Sequence, residues 1–187
     1  MSLLGCDLTK IPLAGRSAAL GAAIIMAGSV GTAVAGTQTL HTSVQIPYEI
    51  NVPSLGFQAT GTSEFGDHVH FSGTYRDLST VTVLMSNWAK HSDWSGSYGL
   101  SGYAVPITLN LYNVLSPFSG PSVGSLIATR TINPTIVWRP EASFGCADDR
   151  FMGGDGGCYS GLAQTIEFDF SGVTVPDDVI YGLAFNT

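Results

Sequence analysis

Charged side chains are scarce in this sequence of 187 residues, because Lys, Arg, Asp and Glu together make up 11%, less than half of the usual quarter. Positive charge is the scarcer kind, with 7 Lys and Arg against 14 Asp and Glu and a formal net charge of −7. The cations beyond residue 35 are Arg76, Lys90, Arg130, Arg139 and Arg150, and they form no run. Since phosphate binding needs clustered Lys and Arg, this scarcity argues against a nucleic-acid partner.

Cysteine is also rare, with three residues in the whole chain. Cys6 lies in the N-terminal segment, which leaves Cys146 and Cys158 on either side of a glycine-rich loop. In an oxidising compartment an isolated pair is more often bridged than free. We therefore expect a Cys146–Cys158 disulfide, which should stabilise the fold by about 2–3 kcal/mol.

Signatures of nucleotide chemistry are missing as well. The sequence contains no Walker-type loop and no dinucleotide-binding glycine pattern, the motifs that hold phosphates against a helix N-terminus. A cysteine nucleophile is not expected either, because the predicted disulfide uses both cysteines that follow the N-terminal segment. On sequence grounds we lean against an enzyme.

The first 35 residues are typical of a secretory signal peptide. Lys10 and Arg16 supply a positive start, and an apolar stretch at 18–35 ends in the small-x-small pattern Ala-Val-Ala. A retained membrane anchor is the alternative, but the stretch is built mainly from Ala and Gly. We predict a signal peptide at 1–35, one mature domain at 36–187, a secreted extracellular protein, and no stable membrane insertion after cleavage.

Alternating apolar and polar residues predict β-strands in the mature region. The clearest pattern is at 165–170, where apolar residues alternate with Glu167 and Asp169, which predicts one buried and one solvated face. Further strands are expected at 43–50, 55–60, 69–72, 80–86, 107–114, 125–132, 135–138 and 179–185. About nine short strands separated by Gly, Pro and Asp turns predict an all-β fold, a two-layer antiparallel β-sandwich with a jelly roll as one variant.

Short motifs spread over most of residues 55–185 form a distinctive set. They lie at 55–67, 73–76, 81–89, 106–114, 124–128, 138–140, 157–159 and 180–182. In combination they resemble an uncharacterised family of secreted bacterial proteins of the actinomycete type. The resemblance implies a signal peptide and a secreted β domain, and it carries over no activity and no catalytic residue. Some members of that family are longer, so truncation at Thr187 stays open.

Aromatic residues are concentrated in the segment 87–103. Trp88, Trp94, Tyr98 and Tyr103 occur there among Ser, Gly and Asp. Exposed aromatic rings offer a large contact area at small entropic cost, and they can stack against sugar rings. These four residues are therefore our candidate binding residues for cell-wall or environmental glycan, with packing of the rings inside the fold as the alternative.

Acidic turns offer a candidate metal site. Asp148, Asp149 and Asp155 surround the glycine-rich loop between the two cysteines. Calcium takes six to eight oxygen ligands, and Asp-rich loops can supply them. We expect solvated turn residues or, as the alternative, a structural calcium ion; no other cofactor is expected.

Two further patterns carry weaker hypotheses. His68 and His70 project from the same face of an extended strand, as two metal ligands would. Carboxylates at Glu64, Asp67, Glu167 and Asp169 could serve an acid–base pair of a polysaccharide hydrolase. In both cases solvated polar residues on an outer strand face are the simpler interpretation.

The sequence thus favours a secreted, non-enzymatic β-sandwich module with a structural, adhesive or glycan-contacting role. The alternative is an extracellular polysaccharide hydrolase. The sequence by itself does not choose a ligand.

Overall fold

The structure, a computed structural model, describes residues 2–10, 38–43, 55–94, 96–116 and 120–185. Its strands are β1 (Ser2–Lys10), β2 (Gln38–Thr42), β3 (Leu55–Gly56), β4 (Glu64–His70), β5 (Thr80–Asn87), β6 (Tyr103–Ala104), β7 (Ile107–Leu115), β8 (Ser122–Ile132), β9 (Thr135–Ile136), β10 (Phe151–Met152), β11 (Cys158–Tyr159), β12 (Leu162–Asp169) and β13 (Asp178–Phe185). The described helical elements are one α-helical turn, α1 (Phe57–Thr60), and a 3-10 helix (His91–Trp94). The predicted all-β class is confirmed.

Most strands belong to two antiparallel sheets. Sheet A has the order β12-β5-β1-β2, with β3 paired to β1, and sheet B has the order β4-β13-β7-β8. Two short ribbons, β6-β9 and β10-β11, complete the described pairing. In sheet B, β13 is a central strand that pairs with β4 on one side and with β7 on the other.

The core is one cluster of buried apolar side chains that come from strands of both sheets. Sheet A contributes alternate residues of β5 and β12, among them Val81, Val83 and Phe168, and sheet B contributes Leu109 and Leu183. Glu167 on β12 is exposed while its neighbour Phe168 is fully buried. The predicted alternation at 165–170 is therefore confirmed, and its apolar half meets the other sheet in one continuous cluster.

A side chain of sheet B also reaches sheet A at the edge of the core. Arg130 on β8 donates from Nε to Asp169 O at 2.9 Å, and its guanidinium lies 5.2 Å from the centroid of the Phe170 ring. This contact and the shared cluster are what two face-to-face layers would produce. The sandwich packing itself, and the jelly-roll variant, stay predictions.

The strand boundaries differ from the sequence pattern in several places; β8 begins at Ser122 instead of residue 125, and β9 ends at Ile136 instead of residue 138. The sequence predicts a strand over 55–60, but only Leu55–Gly56 is extended, because the next residues close a helical turn in which Thr60 Oγ1 donates to Gly56 O at 2.9 Å. β4 begins at Glu64 instead of residue 69. The sequence pattern missed the first part of this strand because the exposed Asp67 interrupts the apolar alternation. The strand predicted at 43–50 lies almost wholly outside the described residues.

The N-terminal strand overlaps the predicted signal peptide. β1 lies between β2 and β5, in register from Ser2 opposite Ser86 to Thr9 opposite Thr80. Arg16 and the predicted cleavage motif lie outside the described residues. Cleavage and secretion therefore stay predictions, and removal of residues 1–35 would take β1 away from β5. Within the described ranges, no helix is long and apolar enough to cross a membrane.

A substitution in the core tests whether β12 packs as described. Phe168→Ala should lower the free energy of unfolding by about 3–5 kcal/mol, because a fully buried ring is replaced by a cavity. The measurement is urea unfolding of both proteins followed by tryptophan fluorescence. Glu167→Ala, one residue earlier on the outer face, is the control and should change stability by less than about 0.5 kcal/mol. Equal effects of the two substitutions would contradict the assigned register.

Candidate functional site

Four aromatic side chains form a cluster that we call the aromatic platform: Trp94, Tyr98, Tyr103 and Trp138. The centroid of the Tyr98 ring lies 6.3 Å from that of Trp94 and 5.8 Å from that of Tyr103, and the Tyr103 and Trp138 centroids are 4.7 Å apart. Trp94 and Tyr98 are each 49% exposed, whereas Trp138 is 8% exposed. Two rings of the platform are therefore half exposed, and of these Tyr98 packs against both Tyr103 and Trp138, while Trp94 packs against Tyr98.

Tyr103 is one of the supporting rings. Its hydroxyl donates to Asn87 Oδ1 at 3.1 Å, and Asn87 is buried at the end of β5. Burial raises the pKa of Tyr103 to about 12, so the phenol stays a neutral donor. Tyr103 therefore packs within the platform, whereas the sequence suggests an exposed ring that contacts a ligand.

Trp138 is the platform residue that sequence reasoning missed. It follows β9, 35 positions after Tyr103 in the chain, and the pairing of β6 with β9 brings the two rings together. Its Nε1 donates to Gly99 O at 2.9 Å and so holds the loop that carries Tyr98. No local pattern could have placed it there, because its partners come from a distant segment.

Trp88 has a separate location. The side chain is 56% exposed and packs over Gly161, where an added Cβ would lie 2.5 Å from the indole Nε1. Glycine at 161 is therefore needed for this ring position. Trp88 has no ring contact with the platform among the described residues.

The predicted disulfide is present. Cys146 and Cys158 are bonded, with their Cα atoms 5.6 Å apart. Inside the loop, Phe151 and Met152 pair with Tyr159 and Cys158 in the β10-β11 ribbon. The bridge and the ribbon close the same short segment.

Asp149 joins this disulfide loop to the segment that carries the platform. Its carboxylate accepts from Lys90 Nζ at 2.8 Å and from Arg139 Nη2 at 2.6 Å. The Arg139 side chain is only 5% exposed and also donates from Nε to Trp88 O at 2.8 Å. The hydrogen bond from Lys90 is the main cause of a lowered pKa of Asp149. Because Trp138 precedes Arg139, this contact also fixes a platform ring.

A second carboxylate links the same two segments. Glu141 Oε1 accepts from the Ser92 backbone N–H at 3.1 Å, and Glu141 Oε2 accepts from Ser92 Oγ at 2.8 Å. Ser92 lies in the 3-10 helix that ends at Trp94. The position of the exposed Trp94 ring is therefore set partly by Glu141.

The three aspartates of the predicted calcium site are engaged separately. Asp149 neutralises two cations, Asp148 pairs with Arg150 at 3.3 Å, and Asp155 accepts from the Tyr159 hydroxyl at 2.6 Å. The hydrogen bond from Tyr159 is the main cause of a lowered pKa of Asp155. Within the described residues, no group of three or more His, Cys, Asp or Glu side chains is arranged to hold a metal ion. Calcium binding stays a prediction.

The carboxylates of the predicted hydrolase lie on different sheets. Glu64 and Asp67 belong to β4 of sheet B, at positions that face opposite sides of the strand. Glu167 and Asp169 belong to β12 of sheet A, and both are exposed on its outer face. Because β4 and β12 belong to different sheets, no shared strand and no strand pairing places Glu64 or Asp67 beside the carboxylates of β12.

The two histidines share one carboxylate oxygen. His68 Nε2 and His70 Nδ1 lie 2.9 and 3.0 Å from Asp178 Oδ1. The hydrogen bond from His70, followed by that from His68, lowers the pKa of Asp178. The sequence places the two rings on one face but gives no sign of Asp178, which reaches them only because β13 pairs with β4.

One serine has the spacing of a nucleophile elbow without its geometry. Residues 120–124 read Gly-Pro-Ser-Val-Gly, but Ser122 begins β8 and donates from Oγ to Leu115 O at 3.1 Å. A nucleophile elbow needs a strand followed by a helix, whereas Ser122 is the first residue of a strand and pairs with Leu115 of β7.

Comparison of the chain with protein-family models, with curated proteins and with solved structures gives no match. The resemblance to a family of secreted bacterial proteins therefore stays a prediction.

Loss of the disulfide should destabilise the protein. Replacing Cys146 and Cys158 together by Ser should lower the free energy of unfolding by about 3 kcal/mol, because the open loop gains entropy in the unfolded state. Urea unfolding of the variant, of the wild type and of the wild type with reductant measures the effect. The variant and the reduced wild type should agree, and an unchanged midpoint for both would show that the bridge contributes nothing.

Removal of the Asp149 charge should destabilise the protein only where that charge exists. Asp149→Asn leaves the buried Arg139 without its counter-charge, so the variant should be less stable at pH 7. Because the pKa of Asp149 is lowered by folding, its contribution is present above the ordinary carboxyl pKa and is lost as pH falls through the lowered value. The two proteins should therefore converge on acidification.

Urea unfolding at a series of pH values from about 7 to 2.5 measures this convergence. Asp148→Asn is the matched control, because Asp148 is 86% exposed and its partner Arg150 is also exposed, and exposed pairs contribute little. A constant difference between Asp149→Asn and wild type across the pH range would rule out the charge as the cause.

Proposed function

We propose that the protein is a secreted, non-enzymatic module that binds glycan through the exposed Trp94 and Tyr98 rings of the aromatic platform. The observation that carries the proposal is the way these rings are held. Both are half exposed; Tyr98 packs against Tyr103 and Trp138, and Trp94 packs against Tyr98. A rigid aromatic surface loses little entropy on binding a sugar ring, whose apolar face can stack on it.

The polar groups around the platform support the same function. The segment contains Ser92 and Asp93 beside the Trp94 ring, and His91 contacts the edge of Trp138 with ring centroids 5.9 Å apart. Hydroxyl groups of a sugar need such donors and acceptors near the stacking surface.

Two features other than the aromatic platform support the proposed secretion. The sequence at 1–35 has the pattern of a signal peptide, and a disulfide closes the loop next to the platform. Disulfides persist in oxidising compartments and are rare in the cytosol. The platform segment is attached to that loop through Asp149.

Binding to insoluble polysaccharides and purified cell walls tests the proposal. The purified protein should be retained by at least one polymer with saturable kinetics, and Trp94→Ala should weaken retention about tenfold or more, as expected for a central aromatic contact. Repeating the assay with calcium and then with chelator tests the predicted calcium ion at Asp148, Asp149 and Asp155 in the same experiment.

Phe144→Ala is the matched control for the loss of an exposed aromatic ring. Phe144 is fully exposed on the disulfide loop, outside the platform, and its removal should leave retention unchanged. Unfolding curves of both variants should coincide with that of the wild type. Absence of retention on every polymer by the folded protein, or equal losses for the two variants, would refute the assignment.

A further inference from the structure

The outer face of sheet B carries a polar cluster that shares no residue with the aromatic platform. On β4 the outward residues are Glu64, Gly66, His68 and His70, and on β13 they are Ala184, Gly182, Ile180 and Asp178. On β7 they are Thr108, Asn110 and Tyr112. In this arrangement Gly66, Gly182 and Asn110 occupy one row across three strands.

Glu64 lies flat across this row. Its Oε1 atom accepts from Asn110 Nδ2 at 3.0 Å and from the Tyr112 hydroxyl at 2.9 Å. Asn110 is held in turn, because its Oδ1 accepts from Thr129 Oγ1 at 2.7 Å. The carboxylate therefore reaches from β4 across β13 to β7 and is fixed in one place.

Gly182 makes this position possible. An added Cβ at residue 182 would meet the Glu64 side chain first, since it would lie 2.8 Å from Glu64 Cδ, 3.1 Å from Glu64 Cγ and in collision with Glu64 Oε1. The absence of a side chain on β13 thus provides the space that the carboxylate fills. A carboxylate held in place by two donors and a glycine is preorganised for a ligand.

Charge indicates what kind of ligand would fit. Burial, followed by the hydrogen bond to Glu64, raises the pKa of Tyr112, so the phenol remains a donor to the Glu64 carboxylate. Glu64 Oε2 receives no hydrogen bond within the described part of the chain. The four strands of sheet B contain a single Lys or Arg, Arg130, and its guanidinium is directed to Asp169 O. The outer face therefore has a fixed carboxylate acceptor and no Lys or Arg of its own in its strands, while His68 and His70 on β4 are paired with Asp178.

The neighbours of Glu64 indicate the rest of the ligand. Thr108 and Thr131 form a hydroxyl pair 2.8 Å apart at one side, and Thr129 lies beside Asn110. On the other side, Leu126 is opposite Tyr112 and is 52% exposed. Hydroxyl and amide groups next to an apolar patch suit a sugar ring with its hydroxyl edge and apolar face.

We propose that Glu64, Asn110 and Tyr112 form a binding site for the primary ammonium group of an amino sugar. The Glu64 carboxylate pairs with the ammonium through a charge-assisted hydrogen bond, and the threonine hydroxyls and the apolar patch contact the rest of the sugar. The site shares no residue with the aromatic platform, so it stands or falls independently of the function proposed above.

Two variants separate the charge of Glu64 from its position. Glu64→Gln keeps an Oε1 acceptor for Asn110 and Tyr112 but removes the charge. Gly182→Ala keeps the charge but displaces the carboxylate, and this should cost little stability because the displaced atoms belong to a flexible side chain. Glu167→Gln removes an exposed strand carboxylate on the other sheet and is the matched control for net charge.

Calorimetric titration at about pH 6 and low salt compares a hexamer of glucosamine, which carries primary amines, with a hexamer of N-acetylglucosamine, in which the amines are blocked. The wild type should prefer the free amine. Glu64→Gln and Gly182→Ala should each weaken its binding about tenfold or more, as for loss of a charged hydrogen bond. Glu167→Gln should leave it within about twofold.

Three outcomes would overturn the proposal. Equal weakening by Glu64→Gln and Glu167→Gln, with no effect of Gly182→Ala, would show attraction by net charge alone. Binding of hexalysine with the same dependence on Glu64 would assign the site to cationic peptides. Binding of neither sugar by protein with wild-type unfolding curves would leave the Glu64 network as a cross-strand staple only.

Discussion

The rest of this structure depends on one continuous cluster of buried apolar side chains drawn from both sheets. β5 and β12 supply Val81, Val83 and Phe168 from sheet A, and β7 and β13 supply Leu109 and Leu183 from sheet B. Burial of this area is the main favourable term in folding a domain with so few charges. Because the inward residues alternate with outward ones, the same packing fixes which side chains face solvent, and the outer faces carry the polar residues.

Both candidate sites are attached to this core at fixed points. The platform is anchored where β5 ends, because buried Asn87 accepts from Tyr103 and donates from Nδ2 to Val137 O at 2.9 Å. The Glu64 site lies on the outer face of β4, β13 and β7, so the distances between its residues are set by the register of these three strands. Sites built on strands are held more rigidly than sites on loops. The platform loop needs additional supports, and Asp149 and the neighbouring disulfide provide them.

Sequence reasoning was most successful where the signal is local. Alternation at 80–86, 107–114 and 165–170 corresponds to β5, β7 and β12, because period-two patterns favour extended strands. Burial follows the pattern in β12, whereas residues 83–87 of β5 are all buried. It was wrong at 55–60, where a helical turn closes after two extended residues. Of the four candidate binding residues, Trp94, Tyr98 and Tyr103 meet in one cluster, while Trp88 packs separately over Gly161.

The sequence by itself determined the all-β class, the exposed and buried faces of the main strands and the bonded cysteine pair, since each of these follows from local alternation or from the small number of possible partners. Only the tertiary structure decided that Trp138 supports Tyr98, that Asp149 neutralises the buried Arg139, and that Glu64 crosses Gly182 to Asn110. The residues joined by these contacts are 40, 10 and 46 positions apart in the chain. They depend on strand pairing and loop closure, which no short stretch of sequence encodes.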